Sequence, residues 1–322
     1  MPAIYECAPM EGVTDYIFRQ AQSRLFCPAD RYYTPFISPT ATHLFTPRQK
    51  REFAPENNEG TNLIPQLIGH SAEDFLWAAN ELKAMGYGEV NFNLGCPSGT
   101  VTAKKKGSGL LSELKLLEAF FDEIFEKSPV EISVKTRIGI GSPEEFAEIL
   151  ELYNRYPIKE LIVHSRLQKQ QYAGAPHMEA WRMAMENSRA PLCYNGDIFD
   201  SACAERFISE FPETEGIMLG RGLASNPNLI GELKGSAPVT KAQLEQFHAA
   251  VLEGCIQRTS QDKPLLLHMK EFWYYLSRSF EDVEKPLKAI RKSQHLNDYN
   301  SAVSAFFRQC QLRSPAGFHV DF

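Results

Sequence analysis

The sequence predicts a (β/α)8 barrel, or TIM barrel, followed by a small all-helical domain. Eight short β-rich runs lie within the first 220 residues, and amphipathic stretches with helical spacing lie between most of them. No β-rich run is evident after residue 237. A doubly wound open sheet is the second possibility, but no G-x-G-x-x-G motif follows the first run to support it.

The eight predicted strands are short and are separated by turn residues and helical stretches. In chain order they are AIYECA (3–8), YYTPFI (32–37), NLIPQLIG (62–69), EVNFNLG (89–95), EISVKTRIG (131–139), ELIVHS (160–165), PLCYNG (191–196) and GIMLG (216–220).

Helical spacing is clearest in four stretches, at residues 71–86, 111–127, 142–156 and 200–211. Two of them begin with a serine that precedes an acid by three residues, Ser71 before Asp74 and Ser142 before Glu145. This spacing is typical of a helix N-cap with a capping box, so we expect each serine to cap its helix.

The pattern changes after residue 237. Residues 240–260, 265–280 and 286–310 all have helical character, and Gly235, Ser236 and Pro238 provide a linker before them. The sequence therefore predicts a barrel domain over residues 1–237 and a helical domain over residues 238–322.

The composition is that of an ordinary globular protein, with 322 residues, 43% hydrophobic and 23% charged. Seven widely spaced cysteines include no C-x-x-C pair and no zinc-like spacing, which favours free thiols in a reducing compartment and predicts no metal site. Neither a signal peptide nor a membrane-spanning stretch is evident, so we expect a cytoplasmic protein. A net charge of −6 argues against a chain coated in nucleic acid but allows a local basic face.

Barrel enzymes carry their chemistry at the C-terminal ends of the strands, and seven of the eight predicted ends have polar, glycine or thiol residues there. They are Pro9 and Met10, Gln66, residues 93–96, Lys135 and Arg137, His164 and Arg166, residues 195–197, and residues 220–222. Gln66 or His164 alone is compatible with a hydrogen-bonded core residue. A lysine inside a strand requires an anionic partner, and the last two loops lie where barrels commonly bind phosphate.

Cys96 lies between Gly95 and Pro97, at a strand end and ahead of three lysines at 104–106. This position predicts an accessible thiol in positive potential, which would act as nucleophile, base or proton donor. A buried structural cysteine is the commoner alternative, and it is what we expect for most of the other six.

Together these segments resemble the tRNA-dihydrouridine synthases, in the order of that family and over the whole barrel. The motifs are APMEGVTD (8–15), PQLIG (65–69), NFNLGCPSGTVTAKKKGSGLL (91–111), VKTRIG (134–139), VHSRLQKQQYAG (163–174), NGDI (195–198) and GRGLASNP (220–227). Ser165 and Leu167 stand where the family usually has glycine and threonine. A helical C-terminal domain also belongs to that family.

The resemblance implies an FMN-dependent oxidoreductase that reduces the 5,6 double bond of a uridine in tRNA, with NADPH as electron donor. It places the flavin against Ala8, Pro9 and Met10, with Gln66 hydrogen-bonded to the ring system, Lys135 at its N1/O2 edge and His164 also in contact. The ribityl chain and phosphate would be held by Asn195, Gly196, Asp197, Gly220 and Arg221. A cation at Lys135 suits reduced flavin, which carries negative charge.

By the same resemblance, Cys96 is the acid that protonates C5 of the uracil after hydride reaches C6. Asn93, Arg137 and Tyr172 match the positions that contact uracil. Because the thiol must stay protonated, we expect the lysines at 104–106 to face tRNA phosphate rather than the sulfur. The target base must leave its stack to enter the barrel.

By the same resemblance, the helical domain would bind the tRNA. We also expect the protein to be a monomer. Lys288, Arg291, Lys292 and His295 have the spacing of one helix face, although a solvated surface explains them equally well. In the run 273–275, base stacking is possible, but we expect at least two of the three aromatic residues in the core.

Two alternatives stay open at this point. One is an FMN barrel that acts on a free pyrimidine, as dihydroorotate dehydrogenases do, although these usually lack a helical domain. The other is a non-catalytic RNA-binding protein on the same barrel.

Overall fold

The computed structural model describes residue 2 and residues 4–319, and it confirms the predicted barrel. Nine parallel strands form one sheet in the order β3-β2-β1-β9-β8-β7-β6-β5-β4. They are β1 Ile4–Cys7, β2 Arg31–Tyr33, β3 Leu63–Ile64, β4 Gln66–Leu67, β5 Glu89–Leu94, β6 Glu131–Arg137, β7 Leu161–His164, β8 Leu192–Asn195 and β9 Gly216–Leu219.

Strands β3 and β4 are the two halves of the single strand predicted over 62–69, and Pro65 separates them. Proline has no N–H to give to a neighbouring strand, but its carbonyl accepts a hydrogen bond from the Asn91 N–H at 2.9 Å. Because β3 pairs with β2 and β4 pairs with β5, the nine segments occupy eight positions around the barrel.

Helices surround the barrel and continue beyond it. They are α1 Tyr16–Leu25, α2 Pro47–Phe53, α3 Ala72–Ala84, α4 Gly99–Thr102, α5 Leu114–Lys127, α6 Glu145–Tyr153, α7 Met178–Asn187, α8 Ser201–Glu210, α9 Arg221–Ser225, α10 Leu229–Leu233, α11 Lys241–Arg258, α12 Asp262–Leu276, α13 Glu284–Lys292 and α14 Leu296–Gln309. Short 3-10 helices cover Pro55–Asn57, Gly107–Ser112 and Ser277–Ser279. No helix in the described part of the chain has the length and apolar character needed to cross a bilayer.

One predicted serine cap is confirmed and the other is wrong. The Asp74 N–H donates to Ser71 Oγ at 3.2 Å, as the capping spacing predicts. Before α6, however, it is the Glu145 carboxylate that accepts from the backbone N–H groups of Ile140, Gly141 and Ser142, at 2.6, 3.0 and 2.9 Å. The Ser142 hydroxyl turns instead to Glu144.

The helical stretch predicted over 286–310 is two helices. α13 ends at Lys292, and Ser293 leaves the helical conformation with ψ of 137° before α14 begins. Lys288, Arg291 and Lys292 are exposed on α13. His295 lies between the helices, with Nδ1 3.6 Å from Asp262 Oδ2, so its predicted place on the same helix face is wrong.

The C-terminal helices pack on one another and on the barrel. The Trp273 indole N–H donates to the Tyr299 hydroxyl at 2.8 Å, and Tyr299 lies 2.6 Å from His248 Nε2. Burial lowers the pKa of His248 to about 3, so the ring is neutral at physiological pH. α11 crosses α1 so closely that a Cβ on Gly254 would lie 2.6 Å from Ile17 Cγ2. The predicted boundary at 237/238 falls between α10 and α11 and stays a prediction.

Candidate active site

A cavity of about 250 Å³ opens at the C-terminal ends of the barrel strands. Fourteen of the fifteen residues predicted as site residues line it. They are Ala8, Pro9, Met10, Asn93, Cys96, Lys135, Arg137, His164, Tyr172, Asn195, Gly196, Asp197, Gly220 and Arg221. The strands that carry them are distant in sequence, and the barrel brings their ends to one place.

Gln66 is the fifteenth, and it lies fully buried in the barrel rather than on the cavity wall. Its Nε2 donates to Asn91 Oδ1 at 2.8 Å, and its Oε1 accepts from Asn93 Nδ2 at 2.7 Å. Its predicted contact with a flavin ring stays a prediction.

The turn that carries Cys96 is held on both sides. The N–H groups of Gly95 and Cys96 donate to Asn93 Oδ1 at 3.0 and 2.9 Å, while the Cys96 carbonyl accepts from the N–H and hydroxyl of Ser108. Gly107 has φ of +56°, and a Cβ there would lie 2.8 Å from the Cys96 carbonyl oxygen. This close approach explains why glycine follows the three lysines.

Burial raises the pKa of the Cys96 thiol above its ordinary value, so the thiol is protonated at neutral pH. Arg137 and Lys135 are the cations that oppose this rise. Two of the lysines in the following loop are bound elsewhere, since Lys105 pairs with Glu113 at 2.8 Å and Lys106 donates to Ser38 Oγ at 3.0 Å. The site therefore holds a thiol suited to give a proton rather than to act as a thiolate.

Lys135 is a half-buried cation whose hydrogen-bond partner is neutral. Its Nζ donates to Asn195 Oδ1 at 2.8 Å, and the Asn195 amide is fixed in turn by the Met218 carbonyl at 2.8 Å. Burial, together with the nearby Arg137, lowers the pKa of Lys135 to about 8. Arg137 likewise donates to carbonyl oxygens, those of Gly95 and Leu167, and burial lowers its pKa to about 10.

Asp197 joins two arginines instead of pointing alone into the cavity. It accepts from Arg166 through both carboxylate oxygens and from Arg221 Nη2 at 2.6 Å. The Arg221 guanidinium also lies over three aromatic rings, 4.8 Å from Tyr172, 4.8 Å from Phe199 and 5.2 Å from Phe318. Arg221 is thus held in position by one carboxylate and three rings.

His164 is neutral, because burial and the surrounding cations, first among them Arg137, hold its pKa well below the ordinary value. Arg166 Nη1 lies 3.4 Å from His164 Nε2. Since a guanidinium only donates, Nε2 is the acceptor and the ring proton lies on Nδ1.

Several residues of this site were not predicted. Glu11, Phe36, Phe199 and Tyr275 line the cavity, and Phe318 lies behind Arg221. Tyr275 belongs to α12, which is distant in sequence from the barrel strands. Only a contact between distant parts of the chain brings it to the barrel mouth, and no local sequence pattern indicates that contact. In the same run, Trp273 is fully buried, which confirms the core position expected for it. Tyr274 is 43% exposed, while Tyr275 packs against the core and faces the cavity.

The cavity suits an anionic cofactor. Two cations, the half-buried Lys135 and the buried Arg137, are hydrogen-bonded to neutral oxygens, which leaves their charge for a ligand. The loops after β8 and β9 lie so close together that a Cβ on Gly222 would be 2.4 Å from the Ile198 carbonyl oxygen. Together with Arg221, these loops form a compact polar edge of the kind that binds phosphate in barrels.

Comparison with known proteins identifies the family of this chain. The family model for dihydrouridine synthase (Dus) matches residues 6–314. The chain belongs to the dihydrouridine synthase family. A probable tRNA-dihydrouridine synthase 1 of Synechocystis is 31% identical over 70% of this chain and 63% of its own length. The tRNA-dihydrouridine(16) synthases of Neisseria meningitidis serogroup A and Shigella flexneri are 25% and 26% identical, over 93% and 92% of this chain and 93% and 96% of their own lengths.

Solved structures share the barrel of this dihydrouridine synthase family member. Morphinone reductase superposes with a TM-score of 0.51 at 13% identity, over 76% of this chain and 88% of its own. Histamine dehydrogenase from Rhizobium sp. 4-9 gives a TM-score of 0.53 at 12% identity, over 76% of this chain and 48% of its own. At this level of identity the likeness concerns the fold alone.

Proposed function

We propose that this oxidoreductase reduces a uridine of tRNA to 5,6-dihydrouridine, with FMN as bound cofactor and NADPH as electron donor. The observation that carries the proposal is the placement of a protonated thiol, Cys96, in one cavity with the cations Lys135 and Arg137. Reduction of an enone-like double bond needs a hydride donor, an acid and a cation near the developing negative charge.

The cofactor would lie along the cavity wall. Ala8, Pro9 and Met10 offer an apolar surface for the ring, and Lys135 is the cation beside it. The loops at 195–198 and 220–222, with Arg221, would take the ribityl chain and phosphate. When bound, FMN supplies the hydride that forms the new C6–H bond of uracil.

The chain's own residues then complete the reaction. Asn93, Arg137 and Tyr172 hold the uracil, with Arg137 lying 5.6 Å from the centre of the Tyr172 ring at the rim. The Cys96 S–H bond breaks as its proton joins the former double-bond electrons to form C5–H. The sulfur is left as a thiolate, which Arg137 and Lys135 stabilise until solvent returns a proton.

A uridine reaches this depth only if it leaves the tRNA stack, which costs a few kcal/mol. We infer that residues 238–322 supply part of the binding energy, with Lys288, Arg291 and Lys292 exposed on α13 as candidate phosphate contacts. The barrel domain over 1–237 would hold the cofactor, and the protein would act as a cytoplasmic monomer.

Position 16 is the uridine that we expect to be reduced. Two relatives that cover nearly the whole chain carry this position in their names. Membership of the dihydrouridine synthase family argues against a free pyrimidine as substrate. The complete set of Cys96, Lys135 and His164 around one cavity argues against a barrel that has lost its chemistry.

The test is dihydrouridine mapping by mass spectrometry on unmodified tRNA incubated with the purified protein and NADPH. We expect dihydrouridine at position 16 with the natural protein and at least about a hundredfold slower formation with Cys96→Ala, which removes the acid. Cys203→Ala is the matched control, because this half-buried cysteine lies on α8 outside the cavity. Absence of dihydrouridine from a preparation whose flavin is reduced by NADPH would contradict the proposal.

A further inference from the structure

The Arg166 guanidinium lies behind the cavity wall and contacts three different parts of the barrel mouth. Its side chain is 1% exposed, and it is not among the residues that line the cavity. It donates to both carboxylate oxygens of Asp197 and, through Nε and Nη2, to the Gly174 carbonyl at 3.2 and 2.6 Å. Its Nη1 also lies 3.4 Å from His164 Nε2. All three nitrogens of the guanidinium are therefore engaged, an arrangement that the ammonium of lysine cannot reproduce.

Asp197 brings a negative charge to the loops at 195–198 and 220–222, where the cavity has its polar edge. A lone carboxylate at this edge would repel an anionic ligand. Arg221 pairs with Asp197 at 2.6 Å, and this pair by itself has no net charge. Arg166 is the second cation on the same carboxylate, so the three joined side chains carry a net charge of +1.

The buried position of Arg166 makes its charge effective. Water and salt screen a charge at the surface, whereas a charge inside the protein interacts more strongly with a nearby ligand. The hydrogen bonds to Asp197 and Gly174 fix the guanidinium in place, so it needs no rearrangement when an anion binds. The edge is thus positive although one of the side chains that line the cavity there is a carboxylate.

We propose that Arg166 is a positioning residue that makes the phosphate-binding edge of the cavity positive, acting through Asp197 without touching the cofactor. The resemblance described above assigns Asp197 and Arg221 to this edge but gives Arg166 no role. The identity of the cofactor as FMN rests on the proposed function, whereas the charge of the edge does not.

Comparison of FMN with riboflavin isolates the phosphate, because riboflavin has the same ring system and ribityl chain without it. We expect the natural protein to bind FMN more tightly than riboflavin, as measured by fluorescence titration of flavin-free protein. Arg166→Gln keeps a donor for the Gly174 carbonyl but removes the charge, so it should lower the ratio of the FMN affinity to the riboflavin affinity at least about tenfold. Arg166→Lys keeps the charge and should leave this ratio within about threefold of the natural value.

Charge compensation is the sharper test. Asp197→Asn in the Arg166→Gln protein returns the net charge of the edge to +1, so the affinity ratio should recover to within about threefold of the natural value. Any contact between Asp197 and the ribityl chain is lost for both flavins and cancels in the ratio. The matched control is Arg155→Gln, which removes an exposed arginine that pairs with Glu118 at 2.6 Å outside the cavity and should leave the ratio unchanged.

An equal loss of affinity for both flavins in Arg166→Gln would mean that Arg166 only supports the fold, and this result would overturn the proposal. An affinity ratio that the double variant does not restore would overturn it as well. If Arg166→Gln does not fold, Asp197→Asn alone decides: it raises the net charge of the edge, so the ratio should rise about threefold or more, and an unchanged or lower ratio contradicts the proposal. Both flavin affinities are measured without tRNA or NADPH, so this failure is distinguishable from a failure of the proposed function, which would appear as absence of dihydrouridine.

Discussion

Lys135 shows how a single residue can carry the affinity of a site. The Lys135 ammonium is hydrogen-bonded to an amide oxygen, so it has lost much of its hydration without gaining a carboxylate partner. An anionic ligand can therefore form the ion pair that no carboxylate of the protein forms with this lysine. The lowered pKa of about 8 is the signature of that arrangement.

Binding of FMN is therefore expected to depend on pH through Lys135. Below pH 8 the Lys135 ammonium is charged, and this residue makes no change in the affinity for FMN. Above pH 8 Lys135 of the free protein must take up a proton before FMN binds, so the affinity for FMN falls by up to about tenfold per pH unit. Lys135→Met should weaken binding at pH 7 by at least about thirtyfold and abolish this dependence. Flavin fluorescence titration measures both, with the exposed Lys159→Met as control; an unchanged pH profile in Lys135→Met would contradict the assignment.

At the residue scale, most of the cavity wall follows from the sequence, since the strand ends of a barrel converge whatever their separation in the chain. Gln66 departs from the pattern because its strand is interrupted at Pro65 and its amide bonds to Asn91 and Asn93 inside the barrel. Tyr275 and Phe318 were missed because no local pattern links a C-terminal aromatic residue to the barrel mouth.

At the scale of secondary structure, helix starts were predicted less well than strands. Ser71 caps α3 as expected, but α6 has no side-chain N-cap, and the Glu145 carboxylate accepts instead from three N–H groups of the loop that precedes the helix. The capping spacing indicated where the helix begins but not which groups bond there.

Glu145→Gln is expected to destabilise the protein by about 1 kcal/mol at neutral pH, because one of the two oxygens that accept from the loop N–H groups becomes an NH2 group. Burial alone would raise the pKa of the Glu145 carboxyl. The hydrogen bonds from the three N–H groups outweigh this effect, so the pKa lies below its ordinary value. The carboxylate therefore contributes stability above its unfolded pKa, and that contribution is lost as pH falls through the lowered folded value. Urea unfolding of both proteins between pH 3 and 7 should show the difference shrinking on the acid side; a constant difference would point to a packing effect instead.

At the scale of the whole molecule, four separate parts of the chain meet at the mouth of the barrel. Phe318 N–H donates to the Phe199 carbonyl at 3.2 Å, and a Cβ on Gly317 would lie 2.3 Å from the same oxygen. The Ser279 hydroxyl lies 2.9 Å from the Ser225 carbonyl oxygen and 3.3 Å from that of Gly317. The predicted division into barrel and helical domain did not anticipate this junction.

Phe318→Ala should weaken FMN binding several-fold, because it removes one of the three rings that hold Arg221. A cation–π contact of this kind is worth about 1 kcal/mol. The flavin dissociation constant, measured by fluorescence, checks this. Phe125→Ala is the control, since Phe125 stacks on Tyr156 at 5.3 Å outside the cavity. An equal loss of affinity in both variants would mean that general destabilisation is responsible.

The contact between Phe318 and Arg221 also gives the order of protein synthesis a chemical consequence. Chains are made from the N-terminus, so all the described strands exist before Phe318 is added. In a nascent barrel without Phe318, the Arg221 guanidinium would contact two rings instead of three. The affinity of the barrel for FMN would therefore rise once the chain has been translated through Phe318. Flavin would then be bound several-fold more tightly by molecules whose translation has run through that residue.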